Sequence, residues 1–194
     1  MSDGPTVVGM PDITSLILDD HEWFRRQFAA LDDLDDPQEL AAVWGPLADM
    51  LDVHAAAEEE VFYPELIRRG DDPEAETLDA IGDHNDIRDG VRDAAKAPVG
   101  SAEWRAAVRR ARTANSEHMA EEEDDGLADF RRNADPDLRD ELGRRFLAFK
   151  AEHKGTKGLD TGDVDPQRYV DQREMEAGQL DVDPSLRIGS LKEK

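Results

Sequence analysis

Cysteine is absent from the 194 residues. Its absence excludes disulfides, iron–sulfur clusters, thiolate-held copper(I) and cysteine nucleophiles, and makes a reducing cytoplasm the expected setting. Long apolar runs are also missing: no stretch approaches the ~20 residues that a membrane helix needs. The N-terminal segment carries neither the basic cluster nor the hydrophobic core of a secretion signal. Positive charge is scarce, with 24 Lys and Arg against 47 Asp and Glu, a net charge of -23. Such a surface repels nucleic-acid phosphates and anionic lipid headgroups, so neither is an expected partner. The Arg-rich stretch Arg109-Arg110-Ala111-Arg112 lies among acidic segments and does not change that.

What is present suits one domain with a real core, since 38% of residues are apolar and 37% charged. Apolar residues recur at helical spacing in five stretches. The first, over 12–34, puts Ile17, Leu18, His21, Phe24, Phe28 and Leu31 on one face. The second spans 37–68, with Leu47, Met50, Leu51, His54, Glu58 and Val61 inward and an expected kink or interruption at Gly45-Pro46. The third opens at Pro73, carries Leu78, Ile81, His84, Ile87 and Val91, and ends before Pro98. Ser101 is placed to cap a fourth over 102–132, with Trp104, Val108, Ala111, His118 and Glu122 on one side. Asp135-Pro136 opens a fifth helix reaching His153. Short connections favour antiparallel neighbours, so the expected fold is all-α: an up-down-up-down four-helix bundle over 12–153 with an additional helix. The polar segment 154–194 is expected to be an extended or disordered tail, with at most a short helix over 165–178.

Five histidines occur in the chain, and His21, His54, His84 and His118 each fall mid-helix on the inner stripe of a different core helix. Counted from the helix ends at about 1.5 Å per residue, their heights agree within about a turn. In an antiparallel bundle the four imidazoles then meet in one layer. Two bring a carboxylate four residues on, His54 with Glu58 and His118 with Glu122, about 40° apart on the helix. Six nitrogen and oxygen donors exceed the four of a tetrahedral zinc and suit two iron or manganese ions, with Glu58 and Glu122 placed to bridge. Glu121 and Glu123 rival Glu122, because a bundle helix can rotate slightly. A lone inward histidine is ordinarily a hydrogen-bonded core residue, but four in one layer are hard to obtain that way. His153, at a helix end, complements the helix dipole. Arg88 can face the site and bond a ligand or carboxylate, or pair with a surface Asp. Tyr63, Phe24, Phe28, Phe62 and Met119 read as packing.

These residues resemble the hemerythrin-like family, the HHE cation-binding domains. The resemblance rests on Asp20-His21, His54-xxx-Glu58 followed by Val61-Phe62-Tyr63-Pro64, Asp83-His84, and Glu117-His118-xxx-Glu122-Glu123, and covers about residues 12–150. Ferritin-like proteins instead use Glu-x-x-His, and no histidine here has Glu three positions earlier. The resemblance implies a di-iron centre with an oxo or hydroxo bridge, bridging carboxylates and terminal histidines. It also implies binding or reduction of dioxygen, peroxide or nitric oxide. Oxygen-carrying members supply a second histidine from the third helix at spacing four, where this chain has Arg88. They also place the fourth-helix carboxylate five residues after its histidine, where this chain offers Glu122 at four and Glu123 at five. One histidine fewer opens a coordination position, which favours turnover of peroxide over reversible carriage, with Arg88 as a catalytic cation for an anion formed there. The competing expectation is a binding module that senses oxygen, nitric oxide or iron and reports to a protein partner through its acidic surface or tail. A metal-free bundle is the third.

Overall fold

The computed structural model describes residues 12–71 and 73–182. All regular structure among them is helical: α1 (Ile13–Asp32), α2 (Pro37–Ala57), a π-helical turn (Glu58–Phe62), α3 (Tyr63–Arg69), α4 (Pro73–Ala95), α5 (Ala102–Asp124), α6 (Gly126–Asn133), α7 (Pro136–Glu152), a 3-10 turn (Lys154–Thr156) and α8 (Pro166–Val182). None of these helices is long and apolar enough to cross a membrane.

Helix starts follow local chemistry. The Asp12 carboxylate accepts from Thr14 N at 2.9 Å, Asp36 from Gln38 N at 2.8 Å, Ser101 Oγ from Trp104 N at 3.1 Å and Asp135 from Leu138 N at 2.9 Å. Each satisfies a backbone donor that the first turn leaves over. Pro37 and Pro136 occupy first helical positions, where their fixed φ helps and their missing N–H costs nothing.

Three expectations need correction. Of the kink or interruption expected at Gly45-Pro46, the interruption is not there: α2 continues through both residues. Ala41, Ala42, Gly45 and Pro46 all face solvent, so water can take the hydrogen bond that the proline omits. The interruption comes later, at the π turn over Glu58–Phe62. The helix expected over 102–132 is two, because the chain bends at Asp125 and restarts as α6. In the segment after Gly155, residues 157–165 form no helix, and the short helix expected over 165–178 is the 17-residue α8, which is not a free tail but packs on α4 and α3 with Val170 fully buried.

Two apolar clusters make the core. One gathers Ile13, Ile17, Ala57, Phe62, Ile81, Leu127 and Phe146; the other gathers Phe24, Leu51, Ile87, Trp104, Ala111 and Met119. Each candidate histidine falls where its strand of sequence passes between clusters: His21 between Ile17 and Phe24, His54 between Leu51 and Ala57, His84 between Ile81 and Ile87, and His118 between Ala111 and Leu127. A polar layer is thus held between two dry ones. α4 and α5 pack closely at Gly90, where a Cβ would meet the Ala111 Cβ at 2.7 Å.

Candidate metal centre

The structure brings His21, His54, Glu58, His84, His118 and Glu122 together, each no more than 6% exposed. His54 Nε2 lies 2.9 Å from Glu58 Oε1, and His84 Nε2 lies 3.3 Å from Glu58 Oε2. His21 Nε2 lies 3.3 Å from Glu122 Oε2. His84 Nε2 and His118 Nε2 face each other at 3.3 Å. Two triads have ligand atoms close enough to share a cation, His21 with His54 and Glu58, and Glu58 with His84 and His118. Glu58 belongs to both. Glu121, a rival of Glu122 on sequence grounds, is exposed, and Glu123 bonds the outer nitrogen of His21.

Every imidazole has its Nδ1 against a carboxylate from a neighbouring helix. Asp20 in α1 takes His54 in α2 at 3.0 Å, and Glu59 in the π turn takes His84 in α4 at 2.8 Å. Asp83 in α4 lies 3.6 Å from His118 in α5, and Glu123 in α5 takes His21 in α1 at 2.9 Å. The support closes into a ring around the bundle. A carboxylate at Nδ1 keeps that nitrogen's proton outward and turns Nε2 inward, the arrangement that metal-binding histidines use. Three of the four carboxylates are in turn pinned by a cation: Asp20 by Lys150 at 2.6 Å, Glu59 by Arg88 at 2.9 Å and Glu123 by Arg25 at 2.7 Å.

The inward atoms are all acceptors. His21 Nε2, His54 Nε2, both oxygens of Glu58 and Glu122 Oε2 make no hydrogen bond, although each is buried. Opposed lone pairs in a low-dielectric layer repel, and buried polar atoms left unmet cost about 1–3 kcal/mol each. A proton or a metal cation must lie between them. The all-oxygen-and-nitrogen donor set, without thiolate, suits iron, manganese and other transition cations. Proton affinity reports the same field. Burial alone would lower the pKa of His54, but the Glu58 charge outweighs it, with Asp20 and Glu58 both placed to accept from a protonated ring, and the value rises to about 9. Burial likewise opposes protonation of His118, yet Asp83 and Glu58, placed to accept from a protonated ring, and the Glu122 charge lift it to about 10. Glu58 is pushed up by burial but held well below the ordinary carboxylate range by His54, His118 and His84.

Sequence reasoning missed the supporting residues. Tyr63 does pack in the core, 1% exposed, but its hydroxyl also donates to Glu122 Oε1 at 3.2 Å. On a regular helix Tyr63 would lie well off the Glu58 line. In the π turn the Tyr63 N–H bonds the Glu58 carbonyl five residues back, so the two residues stack on one side. The outer carboxylates had a signal: Asp20 and Asp83 directly precede candidate histidines, and Glu59 and Glu123 directly follow candidate glutamates. Arg88 is 2% exposed, and its Nη2 bonds Glu59 while Nε and Nη1 have no partner. His153 caps α7 outside the layer, its Nδ1 donating to the Lys157 carbonyl at 3.0 Å.

A cavity of about 560 Å³ reaches His118, Glu122 and Tyr63 between α3, α4, α5 and α6. Its outer walls carry Glu76, Asp79, Glu121 and Asp125. It therefore admits small neutral or cationic species more readily than anions.

The model of the Hemerythrin HHE cation binding domain matches residues 12–128. No curated protein and no solved structure matched the chain.

Proposed function

Because the chain belongs to the hemerythrin HHE cation-binding domain family, we propose that it holds two iron ions in the histidine layer and uses them to consume a small neutral oxidant, peroxide first. His21 and His54 would hold one ion and His84 and His118 the other, with Glu58 within reach of both pairs and Glu122 completing the donor set. Manganese has the same donor preferences and is the alternative metal. One observation carries this reading: Glu58 lies within both triads with both oxygens unpartnered. The up-down-up-down order of α1, α2, α4 and α5 belongs to the proposal. It is supported by the clusters each helix visits, since α1 and α4 leave the Ile17–Ile81 cluster that α2 re-enters and that the chain rejoins after α5.

Two such ions would supply two-electron exchange with the oxidant. The protein supplies the rest. The acidic cavity admits neutral peroxide to the His118 and Glu122 side, and the Tyr63 hydroxyl holds Glu122 in place. Phe24 and Phe146, fully buried, close the His54 side against water. Arg88, at the position where oxygen carriers have a further histidine, offers no metal-ligating atom, so the protein would supply a second ion with one donor fewer. Its hydrogen bond to Glu59 makes it a positioning residue for His84. Disproportionation is the version that balances without another reductant: one peroxide gives two electrons to a second, and two waters and one dioxygen leave. The absence of cysteine supports a reducing cytoplasmic setting.

A second reading, a sensor that reports to a protein partner, is favoured by the hydrogen bonds that tie α8 to the π turn beside the site. Metal analysis and the optical spectrum of iron-loaded protein, before and after peroxide, test the proposal. About two irons per chain and repeated peroxide consumption, both lost in Glu58→Ala, are expected. Iron with no peroxide turnover but a reversible dioxygen spectrum would overturn the oxidant reading, and failure to take up metal would overturn the centre itself.

A further inference from the structure

Glu59 is gripped from two sides. Its carboxylate bonds His84 Nδ1 and Arg88. Its backbone carbonyl, within the π turn, accepts from outside its own helix: the Tyr169 hydroxyl donates to it, and so does Arg173 Nη2 at 3.3 Å. Both donors lie in α8. Arg173 also meets Glu60 Oε2 at 3.2 Å and Glu176 at 3.0 Å, and lies over the Tyr169 ring at 5.1 Å. Burial raises the pKa of the Tyr169 phenol against the nearby Arg173 charge, so the hydroxyl remains a donor.

The same segment is tied down beside His84 a second time. Asn85 Nδ2 donates to the Val164 carbonyl at 2.7 Å, and Val164 N donates back to Asn85 Oδ1 at 2.9 Å. Further along α4, Arg92 donates to the Thr161 carbonyl at 3.0 Å. Val170, fully buried, seats the helix. Thus one tie of the C-terminal segment ends on the neighbour of His84 in sequence, and the other on the residue that orients the His84 ring.

We propose that Tyr169 and Arg173 are positioning residues of the metal centre, which fix the Glu59 backbone and through it the carboxylate that aims His84. The inference rests on the two-metal reading above and deepens it. It makes α8 part of the site although, among the described residues, no α8 side chain hydrogen-bonds a candidate ligand. It also makes the effect one-sided, because Glu59 supports His84 and the ion it shares with His118, while His21 and His54 rest on Glu123 and Asp20. A π turn is a place where such a tie matters, since its hydrogen-bond geometry differs from that of the helices flanking it.

The test uses the full chain loaded with iron and then held against a strong chelator for a fixed time. Wild type retaining two ions sets the reference. Tyr169→Phe with Arg173→Gln should lose the ion at His84 and His118 about 10–100-fold faster and retain one, the usual size of an outer-shell loss. Arg173→Lys, which keeps a donor, should stay close to wild type. Should the double variant fold poorly, Tyr169→Phe alone removes a single hydroxyl and should show the same one-sided loss in smaller degree. Variants that keep both ions as long as wild type, or that lose both together as a loosened bundle would, overturn the assignment. A wild-type chain that takes up no iron instead overturns the two-metal reading beneath it.

Discussion

Loading the centre should expel protons, and their number follows from the field around the two imidazoles. With values of about 9 for His54 and about 10 for His118, both rings are protonated in the metal-free protein at pH 7.5. By the titration equation the bare fraction is about 3% for the first and under about 1% for the second. A metal needs Nε2 bare while Nδ1 keeps its proton on Asp20 or Asp83, so each of these rings gives up one proton. Glu58, ionised throughout, gives none. About two protons should leave per chain from His54 and His118, and log affinity for the pair of ions should rise by about two per pH unit between pH 7 and 8.5. Unperturbed histidines, 6.5 each, would release only about 0.2 proton between them at pH 7.5. A pH-indicator dye in weakly buffered solution during anaerobic ferrous loading separates the two. Release near the lower figure would refute the account of the layer as a nest of inward acceptors. The same groups set the stability of the metal-free chain. Their pKa values are raised on folding, so the stabilisation is complete below about pH 6.5 and is lost as pH rises through about 9–10, and thermal melts of metal-free protein should fall over that window.

Gly90→Ala should destabilise the chain by about 1–3 kcal/mol in urea titration, because a Cβ 2.7 Å from the Ala111 Cβ and N forces α4 and α5 apart. The gain in helix propensity, up to about 1 kcal/mol, does not offset it, and a stabilised variant would refute the close approach. Tyr63→Phe should cost about 1–3 kcal/mol in denaturation of the metal-free protein by leaving Glu122 Oε1 without its donor, whereas a hydroxyl that merely packs would cost nothing measurable. Among the outer carboxylates, Asp20→Asn should weaken metal binding nearer the ~100-fold end of the outer-shell range and Asp83→Asn nearer ~10-fold, since Lys150 pins Asp20 whereas Asp83 stands 3.6 Å from its histidine. Chelator competition measures both, and the reverse order would refute the argument.

The helices and the histidine layer were legible because both rest on periodicity, which depends only on residue type at each position. Capping by Asp36, Ser101 and Asp135 needs only local sequence, and those helix starts fall where they were read. The π turn was not legible. A run of Glu58-Glu59-Glu60 has no composition cue for an extra residue per turn, and that residue swings Tyr63 toward Glu122. The sequence predicts α8 too short and unpacked because its apolar residues are few. Its attachment depends on Val170, on two donors to one carbonyl and on the Asn85 clasp, all of them long-range pairings that periodicity does not encode.

The ring of carboxylates explains why the ligand motifs come as neighbouring pairs. Asp20-His21 and Asp83-His84 put a support one residue before a ligand; His54-xxx-Glu58-Glu59 and His118-xxx-Glu122-Glu123 put one directly after. On a helix, adjacent residues point about 100° apart, so the ligand faces the bundle axis while its neighbour faces the next helix. Each of α1, α2 with its π turn, α4 and α5 thus offers one imidazole inward and one carboxylate sideways. Rotating any of them would misaim its own imidazole and release its neighbour's. Four separate packing choices become one closed set of distances, which holds a layer of buried acceptors in register against its own repulsion. Glu122 over its two rivals follows from the same geometry: with Glu123 turned sideways to His21 and Arg25, Glu122 is the carboxylate that remains to face the axis.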